Sequence, residues 1–181
     1  MDRRDVVAGL LLAAGAGRRM GRPKALVGDW LARGVDVLRE GGCAAVTVVL
    51  GASAEQARAL VPDGADVVVA EDWDEGMGAS LRAGLAALGP DPDAALVSLV
   101  DLPDLSPAVV ARLLRDGGGA GALRRASYDG RPGHPVLIGR DHWPGVIASA
   151  TGDKGARDYL ATHEHGLVEC GDLASGEDVD A

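Results

Sequence analysis

The sequence predicts a three-layer α/β fold in which helices cover both faces of a mostly parallel sheet. Short apolar runs alternate with helical patterns from residue 6 to residue 115, and this alternation is typical of right-handed β-α-β units. The length of 181 residues suits one domain that buries its core without a metal or a disulfide. In such sheets, ligands bind at the edge formed by the carboxyl ends of the strands.

Four strands and four helices are predicted in the first part of the chain. Ser53 with Gln56 is a capping-box pattern that starts the second helix, and Ser106 followed by Pro107 starts the fourth. The strands are the apolar runs at residues 6–13, 44–50, 66–70 and 94–100. The helices are predicted at residues 30–40, 53–60, 79–88 and 106–115.

The second part of the chain is less regular. Two strands at residues 123–128 and 135–138 surround Asp129 and Gly130 in a hairpin-like pattern. Further elements are a helix at 141–149, a short helix after the turn at 151–156, and a last strand at 167–170. We divide the single domain into a first half at 1–100, a second half at 101–175, and an acidic tail at 176–181 that we expect to be disordered.

Composition excludes several classes of partner. The formal net charge is -9, and aromatic residues make up 3% of the chain with no phenylalanine. An acidic chain with few stacking rings does not favour nucleic acid or an anionic membrane. Two cysteines without a CxxC pair indicate a reducing cytoplasm. Residues 1–17 imitate a secretory signal, but the apolar run is short and arginines follow it, which favours an intact first strand.

The stretch at residues 10–24, LLLAAGAGRRMGRPK, is the most informative part of the sequence for function. A buried strand ends there at glycines, and four of the 18 basic residues follow within seven positions, namely Arg18, Arg19, Arg22 and Lys24. A glycine loop with basic side chains at the end of a strand is a device for holding phosphates. Lys24 is one of only two lysines, which suggests that this position needs an ammonium group.

The two common phosphate loops fit this stretch poorly. A dinucleotide site has the spacing GxGxxG and an acidic residue after the second strand. In this chain the third glycine, Gly21, comes one position late, and the second strand ends in Leu50, Gly51 and Ala52. A P-loop has GK followed by Ser or Thr, whereas Lys24 follows proline and precedes alanine.

LAAGAGRRMGRPK instead resembles the signature LAAGxGxRMGxPK of nucleoside-triphosphate transferases of the MobA and MocA kind. The resemblance implies a Rossmann-like nucleotidyltransferase fold in which the glycine loop surrounds the triphosphate. It assigns leaving-group stabilisation to Arg19 and Lys24. The nucleotide-binding residues that it implies in this stretch are Leu12, Ala13, Ala14, Gly15, Gly17, Arg18 and Lys24.

Two later segments match the same family in the expected order. GMGASLRAGL resembles the GMSASL segment that helps hold the nucleoside, and this places Gly76, Gly78 and Ser80 at the site. Glycines allow close backbone approach, and a helix N-terminus attracts anions. SLVDLP resembles the DxP motif, whose aspartate, Asp101, binds Mg²⁺. One carboxylate can suffice, because Mg²⁺ usually keeps waters and phosphate oxygens as ligands.

Within the family, GRPGHP and GDKGAR resemble the branch that attaches CMP to molybdopterin cofactor. The resemblance implies an acceptor site, with Asp153 either a second metal ligand or a residue that shapes its turn, and His134 either an acceptor contact or a structural histidine. Gly78 stands where the family usually has serine, and Leu102 where glutamine is common. The acceptor-binding residues implied are Arg131, His134, Asp153 and Arg157. The resemblance thus makes residues 1–100 the nucleotide-binding half and residues 101–175 the metal and acceptor-binding half.

The expected function is Mg²⁺-dependent transfer of a nucleoside monophosphate to a phosphorylated pterin-type acceptor. The preferred hypothesis is transfer of CMP from CTP. The resemblance also implies a molybdoenzyme or its chaperone as protein partner. Three alternatives stay open: a guanylyltransferase of the MobA branch, a nicotinamide-dependent oxidoreductase, and a nucleotide-binding module without turnover. The sequence does not decide the base, the acceptor or the oligomeric state.

Overall fold

The structure, a computed structural model, describes residues 4–179 and forms a three-layer α/β domain around a seven-stranded sheet. The order across the sheet is β3-β2-β1-β4-β6-β5-β7. The strands are β1 Val7–Ala13, β2 Ala45–Leu50, β3 Asp66–Val69, β4 Ala94–Leu99, β5 Leu123–Tyr128, β6 Arg131–Gly139 and β7 Gly166–Glu169. The helices are α1 Trp30–Gly41, α2 Ala54–Arg58, α3 Met77–Ala87, α4 Pro107–Leu114, α5 Trp143–Ser149 and α6 Arg157–Thr162.

The prediction of a mostly parallel sheet is confirmed. The first four strands pair in parallel, and β5 and β7 also pair in parallel. Only β6 runs against its neighbours, pairing antiparallel with β4 and with β5. The predicted hairpin is therefore present, with a second strand longer than expected.

The central strand β1 is buried on both faces, as its continuous apolar sequence predicts. Leu11 packs in a cluster with α1 and α4, whereas Leu10 packs in the opposite cluster with α3 and α5. Both side chains are fully excluded from solvent, and burial of a leucine contributes about 1.5–3 kcal/mol. This strand therefore joins the two helical layers into one core.

Two expectations about capping and order are wrong. Ser53 precedes α2 in the left-handed region at φ 56°, and its side chain makes no capping hydrogen bond, so the capping box does not form. The tail was expected to be disordered, but Glu177 N–H donates to Ser175 Oγ at 3.1 Å and Val179 N–H donates to Asp101 O at 3.0 Å. Residues 180–181 of that tail, and residues 1–3 of the signal-like segment, lie outside the described residues.

Glu169 fixes the turn between β5 and β6. Its carboxylate accepts N–H groups from Asp129 at 2.9 Å, Gly130 at 2.9 Å and Gly171 at 2.7 Å. These bonds lower the pKa of Glu169 to about 2, and the bond from Gly130 has the largest effect. The turn needs this support because Asp129 and Gly130 both have positive φ.

Replacing Glu169 with glutamine will lower the melting temperature by a few degrees at pH 7. The ionised carboxylate accepts these bonds more strongly than an amide does. Because the folded-state pKa lies below the ordinary 4.5, the stabilisation is present above pH 4.5 and is lost as the pH falls through about 2. In thermal melts from pH 2 to pH 7, the difference in melting temperature between wild type and the variant should shrink as the pH falls. Exposed Glu164→Gln is the control, and an equal loss in that variant would contradict the prediction.

Among residues 4–179, the helices are all too short or too polar to cross a membrane. Both cysteines are buried thiols, and burial raises the pKa of Cys43 to about 12.

Candidate active site

The candidate site lies at the carboxyl ends of β1 and β4. These strands are parallel neighbours, and Val100 N–H donates to Leu12 O at 3.1 Å just beyond β4. The glycine loop leaves β1 at this edge, and Asp101 follows β4 at the same edge. Two sequence motifs that are 77 residues apart are therefore adjacent.

Lys24 and Asp101 are in direct contact. Lys24 Nζ donates to Asp101 Oδ2 at 2.6 Å, and the two side chains are 16% and 10% exposed. Burial raises the pKa of the Asp101 carboxyl above its ordinary value, while the bond and charge of Lys24 oppose that rise. The pair thus holds an ionisable carboxylate at the strand edge with little water around it.

The glycine loop is held by Gly17. This residue has φ 63°, and its carbonyl accepts N–H groups from Met20 at 3.0 Å and Gly21 at 2.9 Å. A Cβ at Gly17 would overlap the carbonyl oxygen of Arg22, whereas a Cβ at Gly15 would meet no atom within 4 Å. The loop's own packing therefore requires glycine at 17, and at 15 only an incoming ligand could require it.

The predicted nucleoside segment lies against the turn before α6. Gly78 N–H donates to Gly152 O at 2.8 Å, and a Cβ at Gly78 would come within 2.8 Å of Thr151 N. This packing explains the glycine at a position where the family usually has serine. It also occupies one amide of the first turn of α3, so the N-terminus of α3 is less open to an anion than expected. Ser80 is buried in α3.

Asp153 lies beside Gly76. The two are so close that a Cβ on that glycine would overlap Asp153 Oδ1. The turn is thus joined to the nucleoside segment. Within residues 4–179, no three acidic, histidine or cysteine side chains come together as metal ligands. The metal role of Asp153 stays a prediction.

The hairpin of β5 and β6 carries two of the predicted acceptor-binding residues, Arg131 and His134. Tyr128 Oη donates to the carbonyl oxygen of His134 at 2.6 Å. Burial, followed by the charge of Arg125, lowers the pKa of His134 to about 4, so the imidazole is neutral at pH 7. Arg131 is exposed near the hairpin turn. The C-terminal segment connects this hairpin to the strand edge, because Gly176 lies against the Tyr128 ring and Val179 N–H donates to Asp101 O at 3.0 Å.

The model of the MobA-like NTP transferase domain matches residues 9–167. The chain belongs to the MobA-like NTP transferase family. That match covers the glycine loop, Asp101, the hairpin and the turn before α6, so this MobA-like domain is a nucleotidyltransferase.

Similar proteins carry more than one name. Nicotine blue oxidoreductase from Paenarthrobacter nicotinovorans is 41% identical over 190 residues, which cover 96% of this chain and 92% of that protein. The crystal structure of Rv0371c from Mycobacterium tuberculosis has a TM-score of 0.82 at 32% identity, covering 99% of this chain and 94% of that chain. A complex of Rv0371c with manganese has a TM-score of 0.74 at 32% identity, covering 91% and 87%.

Sequence reasoning missed Arg125 of this MobA-like domain. It lies in the middle of β5, is half-buried, and its Nε donates to Gly133 O at 3.1 Å. Burial lowers the pKa of its guanidinium, and the nearby charge of Arg157 lowers it further. The only signal in the sequence was the arginine pair at 124–125 within an otherwise strand-like run.

Proposed function

We propose that this protein transfers a nucleoside monophosphate, CMP from CTP, to a phosphorylated acceptor of the molybdopterin type and releases pyrophosphate. The observation that carries the proposal is the 2.6 Å contact between Lys24 and Asp101. It joins the end of the triphosphate motif to the predicted metal aspartate at one strand edge. Transfer of GMP from GTP is the alternative hypothesis, because no side chain identified at the site selects a base.

The residues present fit Mg²⁺, and the manganese complex of Rv0371c supports a divalent ion. Asp101 would hold it with a carboxylate oxygen, and phosphates and water would complete the shell. A bound Mg²⁺ supplies neutralisation of phosphate charge and orients the reacting oxygens. Asp153 is the candidate for a second carboxylate.

The chain's own groups act by position and charge. The glycine loop presents backbone N–H groups to the phosphates. Lys24 and Arg19 stabilise the negative charge that develops on the leaving pyrophosphate. An acceptor phosphate oxygen attacks the α-phosphorus as the bond to pyrophosphate breaks. The reaction needs no covalent enzyme intermediate, since holding the two reactants in line supplies much of the rate.

A thermal-shift panel tests this function. We expect CTP with Mg²⁺ to raise the melting temperature by about 5–10 °C at a hundredfold excess over Kd, since that excess contributes about 2.7 kcal/mol. ATP and UTP should shift it less. A larger shift with GTP would move the assignment to the guanylyl reading, and no shift with any triphosphate would contradict nucleotidyl transfer. A shift without pyrophosphate release, in the presence of molybdopterin cofactor, would indicate a module without turnover.

A second candidate is an oxidoreductase, favoured by the 41% identical relative of that name. Against it, β2 is followed by Gly51 and Ala52 and offers no carboxylate for a nicotinamide ribose. Thermal shifts with NAD(H) and NADP(H), measured beside CTP and Mg²⁺, separate the two. A shift with a nicotinamide cofactor alone, with oxidation of NADH or NADPH by a quinone dye, would favour the oxidoreductase.

A further inference from the structure

Lys24 fills a position that a metal ion on Asp101 would need. Lys24 Nζ lies 2.6 Å from Asp101 Oδ2, and the two side chains are 16% and 10% exposed. An ammonium group at this distance makes a charge-assisted hydrogen bond to that oxygen. A divalent cation on the same carboxylate would come close to the ammonium, and two positive charges repel each other strongly where little water screens them. The lysine and a metal ion therefore compete for this carboxylate.

The backbone on both sides of the contact is anchored. Val27 N–H donates to Lys24 O at 3.1 Å, and Ala25 between them is fully buried. Asp101 O accepts the N–H of Val179 at 3.0 Å. The contact can therefore open by rotation of the lysine side chain, whose four-carbon stem is flexible, while both backbone segments stay in place.

The glycine loop gives Lys24 a second anionic partner once a triphosphate is bound. Gly17 lies against the backbone of Lys24, since a Cβ on that glycine would be 3.3 Å from Lys24 N. A phosphate held by this loop therefore lies near the lysine side chain. Phosphate oxygens accept charge-assisted hydrogen bonds from an ammonium as a carboxylate does. Lys24 can thus leave Asp101 without losing an anionic partner when the triphosphate is present.

We propose that Lys24 occupies the Asp101 carboxylate in the unliganded protein and moves to the triphosphate when nucleotide and metal bind together. Metal binding is then weak until a triphosphate is present, because only then does the ammonium have another anion to bind. By thermodynamic linkage, the metal strengthens nucleotide binding by the same factor. The inference rests on the triphosphate and metal binding of the proposed function, and adds how the site couples the two.

Manganese binding, measured from the electron paramagnetic resonance signal of free Mn²⁺, tests the exchange. Without nucleotide, K24M should bind Mn²⁺ at least about tenfold more tightly than wild type, because no charge-assisted bond has to break first. With CTP present the order should reverse, since K24M lacks the ammonium that binds the triphosphate. K24R keeps a positive charge at Asp101 and should bind Mn²⁺ alone as weakly as wild type does.

The control R115Q removes one positive charge far from the site. Arg115 is exposed and lines a groove with Val7 at the amino end of β1, the opposite edge of the sheet. It should bind Mn²⁺ as wild type does. If wild type binds CTP with Mn²⁺ but K24M gains no affinity for Mn²⁺ alone, or R115Q gains equally, the exchange is overturned and the proposed function stands. The predicted reversal without pyrophosphate release would reject nucleotidyl transfer and support the exchange.

A second measurement uses the unchanged protein and so does not depend on the folding of K24M. Lys24 and Lys154 are the only lysines, and Lys154, 55% exposed beside Asp158, is the internal reference for labelling with acetic anhydride. Mn²⁺ alone at saturation should raise the labelling rate of Lys24, read by mass spectrometry, because the displaced amine enters solvent. Added CTP should lower that rate again. A Lys24 rate that neither addition changes would overturn the proposal.

Discussion

Replacing Asp101 with asparagine will lower the rate of pyrophosphate release at least about a thousandfold. Asparagine keeps the shape of the buried side chain and can still accept a hydrogen bond from Lys24, which lies 2.6 Å away. It removes the negative charge that the proposed reaction needs to hold Mg²⁺. Steady-state pyrophosphate release with CTP, Mg²⁺ and the acceptor measures the effect. Wild-type turnover in this variant would refute the role of Asp101.

The same substitution should change the melting temperature little. Burial raises the pKa of Asp101, so its charged form is less stable in the folded than in the unfolded chain at pH 7, and the amide removes that cost. The loss of the charge also weakens the bond from Lys24, so the two changes oppose each other. Asp104→Asn is the matched control, because Asp104 lies three residues away, is exposed, and uses an oxygen to bind the N–H of Ser175. It should retain both the rate and the stability of wild type.

The sequence predicts those parts of the site whose motif lies within one continuous segment of the chain. The apolar run of β1 ends at the glycine loop, and a continuous buried strand leaves one edge for that loop to occupy. Asp101 could be placed at the same edge for the same reason. The direct contact between Lys24 and Asp101 depends on β1 and β4 being neighbours in the sheet, and the sequence did not predict that strand order.

The parts that were missed depend on contacts between distant segments. Arg125 has no motif, and its half-buried position, with Nε bonded to Gly133 O, depends on the pairing of β5 with β6. Gly78 is explained only by the backbone at Thr151, 73 positions later in the chain. Ser53 failed as a cap because its backbone is left-handed. The acidic composition of the tail indicated disorder, yet Val179 N–H in the tail binds the carbonyl oxygen of Asp101.

The second large effect is expected from Gly17→Ala, which should lower the melting temperature and remove the thermal shift with CTP and Mg²⁺. At φ 63° an alanine costs about 1–2 kcal/mol, and its Cβ would also overlap the carbonyl oxygen of Arg22. The loop must therefore rearrange before it can hold a triphosphate. Thermal melts with and without CTP measure both changes.

Alanine variants of two neighbouring glycines distinguish the backbone strain of a positive φ from the overlap with Arg22. Gly21 has φ 82° but open space around a Cβ, so Gly21→Ala should lower the melting temperature by the backbone cost alone. Gly15 has neither a positive φ nor a neighbour within 4 Å, so Gly15→Ala should melt as wild type does. If Gly15→Ala nevertheless weakens CTP binding, a phosphate must approach that backbone closely, because the free protein gives the methyl group room. If all three variants melt alike, the loop is not held by Gly17 as this structure describes it.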